Sequence, residues 1–67
     1  MKASYDFEVD ALSIRWSEEP VEESDQVEPG VIVDYDVDGH IVAIEVLNAT
    51  KRIKNFPQAV SEFLSVT

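Results

Sequence analysis

This 67-residue chain has no cysteine, two glycines, one histidine, one tryptophan, and five basic side chains against fourteen acidic ones. Without cysteine there is no disulfide staple, no thiolate metal site and no thiol nucleophile, so stability must come from packing or self-association. Two glycines cannot build a glycine-rich phosphate loop. The lone histidine, His40, lies beside Gly39 and leaves the serines without a histidine base in any recognisable motif. Carboxylates abound, but an acid–base pair needs a cleft that desolvates one of them. The inventory therefore reads as no enzyme, with no catalytic residue and no cofactor. No apolar run approaches the ~18 residues of a membrane span, and the N-terminus MKASYDFEVD is no signal peptide. A cytoplasmic protein is expected, with the Asn48-Ala49-Thr50 sequon accidental.

What is present is acid. The net charge is −9, so phosphate backbones would be repelled and nucleic acid and anionic membrane are poor partners. The imbalance is local: residues 1–45 carry thirteen acidic and two basic side chains, residues 46–67 one and three. A basic protein is the natural electrostatic partner, with solubility the competing explanation. A chain this short makes one domain, 1–67, and buries roughly 60% of its unfolded surface.

The organising stretch is Val31–Leu47, VIVDYDVDGHIVAIEVL. Two apolar runs flank Asp38-Gly39, a dipeptide suited to a two-residue type I′ turn. That turn sets Val37 opposite His40, Tyr35 opposite Val42, Val33 opposite Ile44 and Val31 opposite Val46, all on one core-facing side. The other side carries Ile32, Asp34, Asp36, Ile41, Ala43, Glu45 and Leu47 and should be largely exposed. The same residues spell D-x-D-x-D-G-x5-E, a calcium-loop string in Asp34, Asp36, Asp38, Gly39 and Glu45. Context argues against a calcium hand, since no room for a helix precedes Asp34 and β-branched residues follow Gly39. A weak divalent site at Asp34, Asp36, Asp38 and Glu45 is the metal alternative to a solvated acidic face, which discourages sheet-to-sheet sticking.

Elsewhere the pattern predicts strands within 2–6, 11–16, 24–28, 31–37 and 40–47. Tyr5 is the inward anchor of the first, and Leu12, Ile14 and Trp16 point inward from the second, Trp16 as a core or rim residue. Asp6–Asp10 is a polar connection. Ser17–Gly30 holds six acids and two prolines, with Val21 and Val27 its apolar anchors and a Pro29-Gly30 turn at its end. It should be the most mobile segment, read first as an inert solvated loop and, as the alternative, as the docking segment. Asn48 is a good N-cap for a helical turn within 49–54. A second helical segment within 57–65 places Phe56, Ala59, Val60, Phe63 and Leu64 on one stripe against the hairpin. Lys51, Arg52 and Lys54 should pair with the chain's own carboxylates. The fold class is α+β: a small four- or five-stranded antiparallel sheet of two hairpins with a C-terminal helix packed on one face. Its open face, with Ile32, Ile41, Ala43 and Leu47, suggests a second copy or a partner.

Tyr5-Asp6, Asp10-Ala11-Leu12 and Ile14-Arg15 resemble the opening "YDxxxDALYIR" of a bacterial family of small proteins, the domain of unknown function 2283. The likeness runs on through Pro20-Val21-Glu22-Glu23, Val27–Val31, Asp34-Tyr35-Asp36, Asp38-Gly39 and Ile44–Leu47 to Ala49–Arg52. It departs at Phe7, where proline is common, at Val9, where alanine is common, and at Ser13, where an aromatic is usual. The resemblance implies a compact α+β domain with no catalytic residues to carry over, and makes D-x-D-x-D-G the family's usual "DYDxDG" hairpin. It also implies that relatives are encoded beside small basic proteins that look like ribonuclease toxins.

Three functions follow as expectations. The first is a non-catalytic, acidic protein-interaction module that docks a basic partner or self-associates. Its candidate residues are Glu18, Glu19, Glu22, Glu23, Asp25, Glu28, Ile32, Ile41 and Leu47. An antitoxin-like neutraliser of a basic ribonuclease is a special case, and a weak calcium-responsive module is the third.

Overall fold

A computed structural model describes residues 1–56. Ala59, Val60, Phe63 and Leu64 of the expected stripe, and the helical segment within 57–65, lie outside the described residues. Five strands are formed: β1 (Lys2–Asp6), β2 (Ala11–Arg15), β3 (Glu23–Glu28), β4 (Val31–Tyr35) and β5 (Ile41–Leu47), followed by a short helix, α1 (Ala49–Arg52). They make one antiparallel sheet in the order β1-β2-β5-β4-β3, the expected α+β architecture at its five-stranded limit. The two hairpins β1–β2 and β4–β5 join edge to edge through β2 and β5, and β3 is laid outside β4.

One face collects the apolar positions. Ala3 and Tyr5 stand opposite Ile14 and Leu12, which oppose Ile44 and Val46, which in turn oppose Val33 and Val31. Ala3, Val33, Val42, Ala43, Ala49 and Phe56 are buried, Val42 most completely among the large side chains. Trp16 extends β2 by donating its N–H to the Val42 carbonyl (2.8 Å), and is half-exposed at the rim.

The β4–β5 turn differs from the expected one. The Asp36 N–H donates to the His40 carbonyl (2.9 Å) and the Gly39 N–H to the Asp36 carbonyl (3.0 Å). Val37, Asp38 and Gly39 thus form a three-residue loop. Only Gly39 has a positive φ, 83°, whereas a type I′ turn needs one at Asp38 as well. The cause is Asp36, whose Oδ1 accepts the N–H groups of Asp38 and His40 at 2.9 Å and holds the chain in a side-chain-capped turn.

The longer loop shifts the first pair by one residue, so Tyr35 faces Ile41 rather than Val42. An irregularity between Asp34 and Tyr35, with Val42 the extra residue on β5, then shifts the register back. The expected Val33–Ile44 and Val31–Val46 pairs are restored. Val37 and His40 sit on the exposed tip instead of the core face, and Val42 and Ala43 are buried consecutively.

The α1 cap is also not the expected one. Asn48 occupies the N-cap with φ 55° and makes no side-chain cap hydrogen bond. Asp10 does that work from across the sheet. Its carbonyl accepts the Ala49 N–H (3.0 Å), and its carboxylate accepts the Thr50 N–H (3.1 Å) and the Thr50 hydroxyl (2.7 Å). The donors at a helix start need acceptors from somewhere, and here they come from the β1–β2 loop. The same carboxylate takes the Tyr5 hydroxyl at 2.7 Å, and the Tyr5 ring meets Phe56 edge-on with centroids 4.8 Å apart. Hydrogen bonds from Thr50 and then Tyr5 hold the Asp10 carboxyl below its ordinary value. The bond to Asp10 raises the Tyr5 phenol.

Candidate functional site

The acidic segment makes more backbone hydrogen bonds than its composition suggests. Arg15 Nη2 donates to the Glu19 carbonyl (2.7 Å), the Ser17 hydroxyl accepts the Glu19 N–H (3.1 Å), and the Glu22 N–H reaches the Tyr35 carbonyl (2.8 Å). From Glu23 the chain pairs with β4: Glu23 with Tyr35, Ser24 with Asp34, Asp25 with Val33 and Gln26 with Ile32. Val21 and Val27, the expected anchors, are 43% and 51% exposed, so side-chain burial is not what holds this strand. Main-chain hydrogen bonds to β4 do, because a ladder needs no apolar side chain. Every β3 residue is exposed.

Alternation puts Glu23 and Asp25 on the face of Tyr35 and Val33, and Ser24 and Gln26 on the opposite face. The Ser24 hydroxyl donates to Asp34 Oδ1 at 2.5 Å. At the β3–β4 end, Glu22, Glu23, Asp25 and Asp36 surround Tyr35 and Val37 in an open groove of about 370 Å³. Glu28, at the other end of β3, forms an ion pair with Arg52, as expected for that basic cluster. Lys51 contributes to lowering the Asp10 carboxyl, the smallest of the causes acting there.

Of the candidate partner residues, Glu18, Glu19, Glu22, Glu23, Asp25 and Glu28 thus lie along one edge and its approach, all of them exposed. Ile32, Ile41 and Leu47 do not form the open apolar face expected of them. Ile41 is 54% and Leu47 37% exposed, but Ile32 is half-buried and Ala43, between them on β5, is buried. Sequence reasoning missed the groove contributions of Tyr35, Asp36 and Val37. The D-V-D-G turn was the available signal, because an aspartate two residues before another polar turn residue favours the capped turn that exposes Val37.

The calcium-string residues are not brought together. Asp34 and Glu45 lie in paired strands, opposite Ala43 and Ile32, while Asp36 caps its own turn. A different set converges: ligand atoms of Asp36, Asp38 and His40 lie within 4.8 Å of one another, on a largely exposed tip. His40 Nδ1 is 3.9 Å from Asp36 Oδ2, and Asp36 Oδ1 is already occupied by two backbone donors. A cation there would meet three side chains, two of which, Asp38 and His40, are exposed.

A family model described as "Protein of unknown function (DUF2283)" matches residues 2–49, and the chain belongs to this family. No curated protein and no solved structure matches the chain. Among the described residues, no helix is long and apolar enough to cross a membrane. The matched span includes Tyr5, Asp10, the β4–β5 hairpin and Asn48–Ala49, and it ends one residue before Thr50. The Tyr5-Asp10 pair at its start is a packing device: it fastens the segment after β5 to the first hairpin.

Proposed function

As a member of a family without an assigned activity, this chain takes no chemistry from its relatives, and we propose that it is a non-catalytic, acidic protein-interaction module. Its docking surface is the β3 side of the sheet and the loop leading into it. The observation that carries the reading is β3 itself: a six-residue edge strand, exposed throughout, with Glu23, Asp25 and Glu28 on it and Glu18, Glu19 and Glu22 just before it. A surface of one sign attracts an oppositely charged partner over several ångströms and speeds encounter more than it tightens the final complex. The groove adds Asp36 and the Tyr35 ring, a pairing suited to a lysine or arginine side chain. Neutralising a small basic ribonuclease would be one use of this chemistry. The calcium-responsive reading has less support, because two of its four ligands are spread along paired strands.

The test is a titration of the labelled full chain with a lysine-rich octapeptide and a glutamate-rich counterpart, followed by amide NMR. The lysine peptide should move the amides of residues 18–28 at low salt, with affinity falling steeply as salt rises. The glutamate peptide should move none. Unchanged spectra with the lysine peptide at low salt would rule out the docking role.

A further inference from the structure

Charge can attract a partner to β3, but the direction of the β3 backbone specifies how the partner is held. In an antiparallel ladder, successive residues turn their N–H and C=O groups alternately toward one neighbour and the other. Observed hydrogen bonds fix that phase across this sheet. Trp16 N–H reaches the Val42 carbonyl and Leu47 N–H reaches the Gly30 carbonyl, so the even-numbered residues of β5 face β2 and the odd-numbered ones face β4. On β4 the Tyr35 carbonyl accepts from Glu22, so its odd-numbered residues face β3. Asp25, paired with Val33, therefore turns its backbone toward β4, and Ser24 and Gln26 direct theirs outward. No described strand pairs with that outer side.

An unpaired row of donors and acceptors is a template for another strand. The side chains decide which strand. A strand laid beside β3 places alternate side chains about 5 Å from Glu23 and Asp25. A second copy of β3 is disfavoured by charge: with Ser24 and Gln26 turned outward, antiparallel pairing centred on Asp25 sets that carboxylate against its own copy, and pairing centred on Ser24 sets Glu23 against Asp25 twice. The irregularity between Gln26 and Glu28, with Pro29 just after it, blunts the far end. The usable edge is thus Glu22–Gln26, next to the groove that holds Tyr35 and Asp36.

We infer that the outer edge of β3 takes up an extended segment of a partner protein as a sixth strand, with basic side chains at alternate positions over Glu23 and Asp25. This specifies a mode for the docking role proposed above and rests on it. Small polar residues such as threonine suit the intervening positions, which lie beside Ser24 and Gln26. The bound segment gains main-chain hydrogen bonds from the edge and sequence preference from the two carboxylates, as in other strand-addition complexes.

Three octapeptides of equal charge test it on the full chain. The first alternates lysine and threonine, the second has its lysines in one block and its threonines in another, and the third is the alternating peptide with every threonine N-methylated. N-methylation removes the N–H groups that would face Ser24 and Gln26 and leaves the charge unchanged. Strand addition predicts that the alternating peptide binds about tenfold or more tightly than either comparator, as expected from losing two to three hydrogen bonds. It also predicts that the alternating peptide alone slows hydrogen exchange at the Ser24 and Gln26 amides. Carrying Glu23→Lys and Asp25→Lys together should transfer the preference to an octapeptide that alternates glutamate and threonine. Equal binding of the three lysine peptides with unchanged exchange at Ser24 and Gln26 would overturn strand addition and leave the docking role standing. Failure of all three to move the amides of residues 18–28 at low salt would remove the docking role itself.

Discussion

The sheet has two edges, and they are finished in opposite ways. β1 is closed by side chains: Ala3 is 7% exposed, Tyr5 is half-buried, and Tyr5 meets both the Asp10 carboxylate and the Phe56 ring. β3 is open: all six of its residues are exposed, and its register comes from backbone pairing with β4. An edge anchored by buried groups contributes stability, with an outer backbone that no described strand pairs. An edge held by its backbone alone contributes less and stays available, and its acids keep it from pairing with copies of itself.

The largest effect should come from breaking the closed edge. Phe56→Ala removes a buried ring and should cost about 3–5 kcal/mol, read as a lower urea midpoint with little change in slope. A loss under about 1 kcal/mol would show that the Tyr5–Phe56 contact does not seal β1.

Asp10→Ala comes next. It deprives Tyr5 and Thr50 of their acceptor and should lower Tm clearly, with α1 loosened in amide exchange. Asp10 also sets an acid limit. Its folded-state carboxyl lies below the ordinary 3.8, so the stability it adds is fully present above that pH and lost as pH falls below it. Asp10→Asn should flatten that acid limb of a Tm-against-pH curve. An unchanged limb would place the acid sensitivity elsewhere. The raised Tyr5 phenol acts at the other extreme, with stability present below pH 10.0 and lost as pH rises beyond it.

The smallest effect on folding belongs to the open edge. Glu23→Gln with Asp25→Asn should leave stability within about 0.5 kcal/mol of the parent, as for surface positions with no buried partner. The same pair of changes should weaken lysine-peptide binding and make it less salt-dependent. A large loss of stability would show that β3 is not held by its backbone.

Much of the fold is legible in the residues. Alternation in Val31–Leu47 and Ala11–Trp16 identifies the strands and their core faces, and Pro29-Gly30 and Asp38-Gly39 locate the turns. The β4–β5 turn is one residue longer than its dipeptide signal predicts, because Asp36 caps the loop with its own carboxylate. The expected deep register nonetheless holds, since Val42 adds a compensating residue and that alignment sets buried Val33 against half-buried Ile44. The candidate site was less legible. Its acids are plain in Ser17–Gly30, but nothing there says that the segment forms an edge, or that Tyr35 and Asp36 lie beside it.

By itself the sequence determined which residues form strands, which of their faces is apolar, and that the first two-thirds of the chain presents acid outward, because these depend on neighbours a few positions apart. The tertiary structure decided the order β1-β2-β5-β4-β3, the capping of α1 by Asp10 from 40 residues away, and the exposure of β3 at the rim. Those outcomes depend on which backbone edges remain unpaired once the two hairpins have joined, and hydrogen bonding between edges carries almost no signature in side-chain identity.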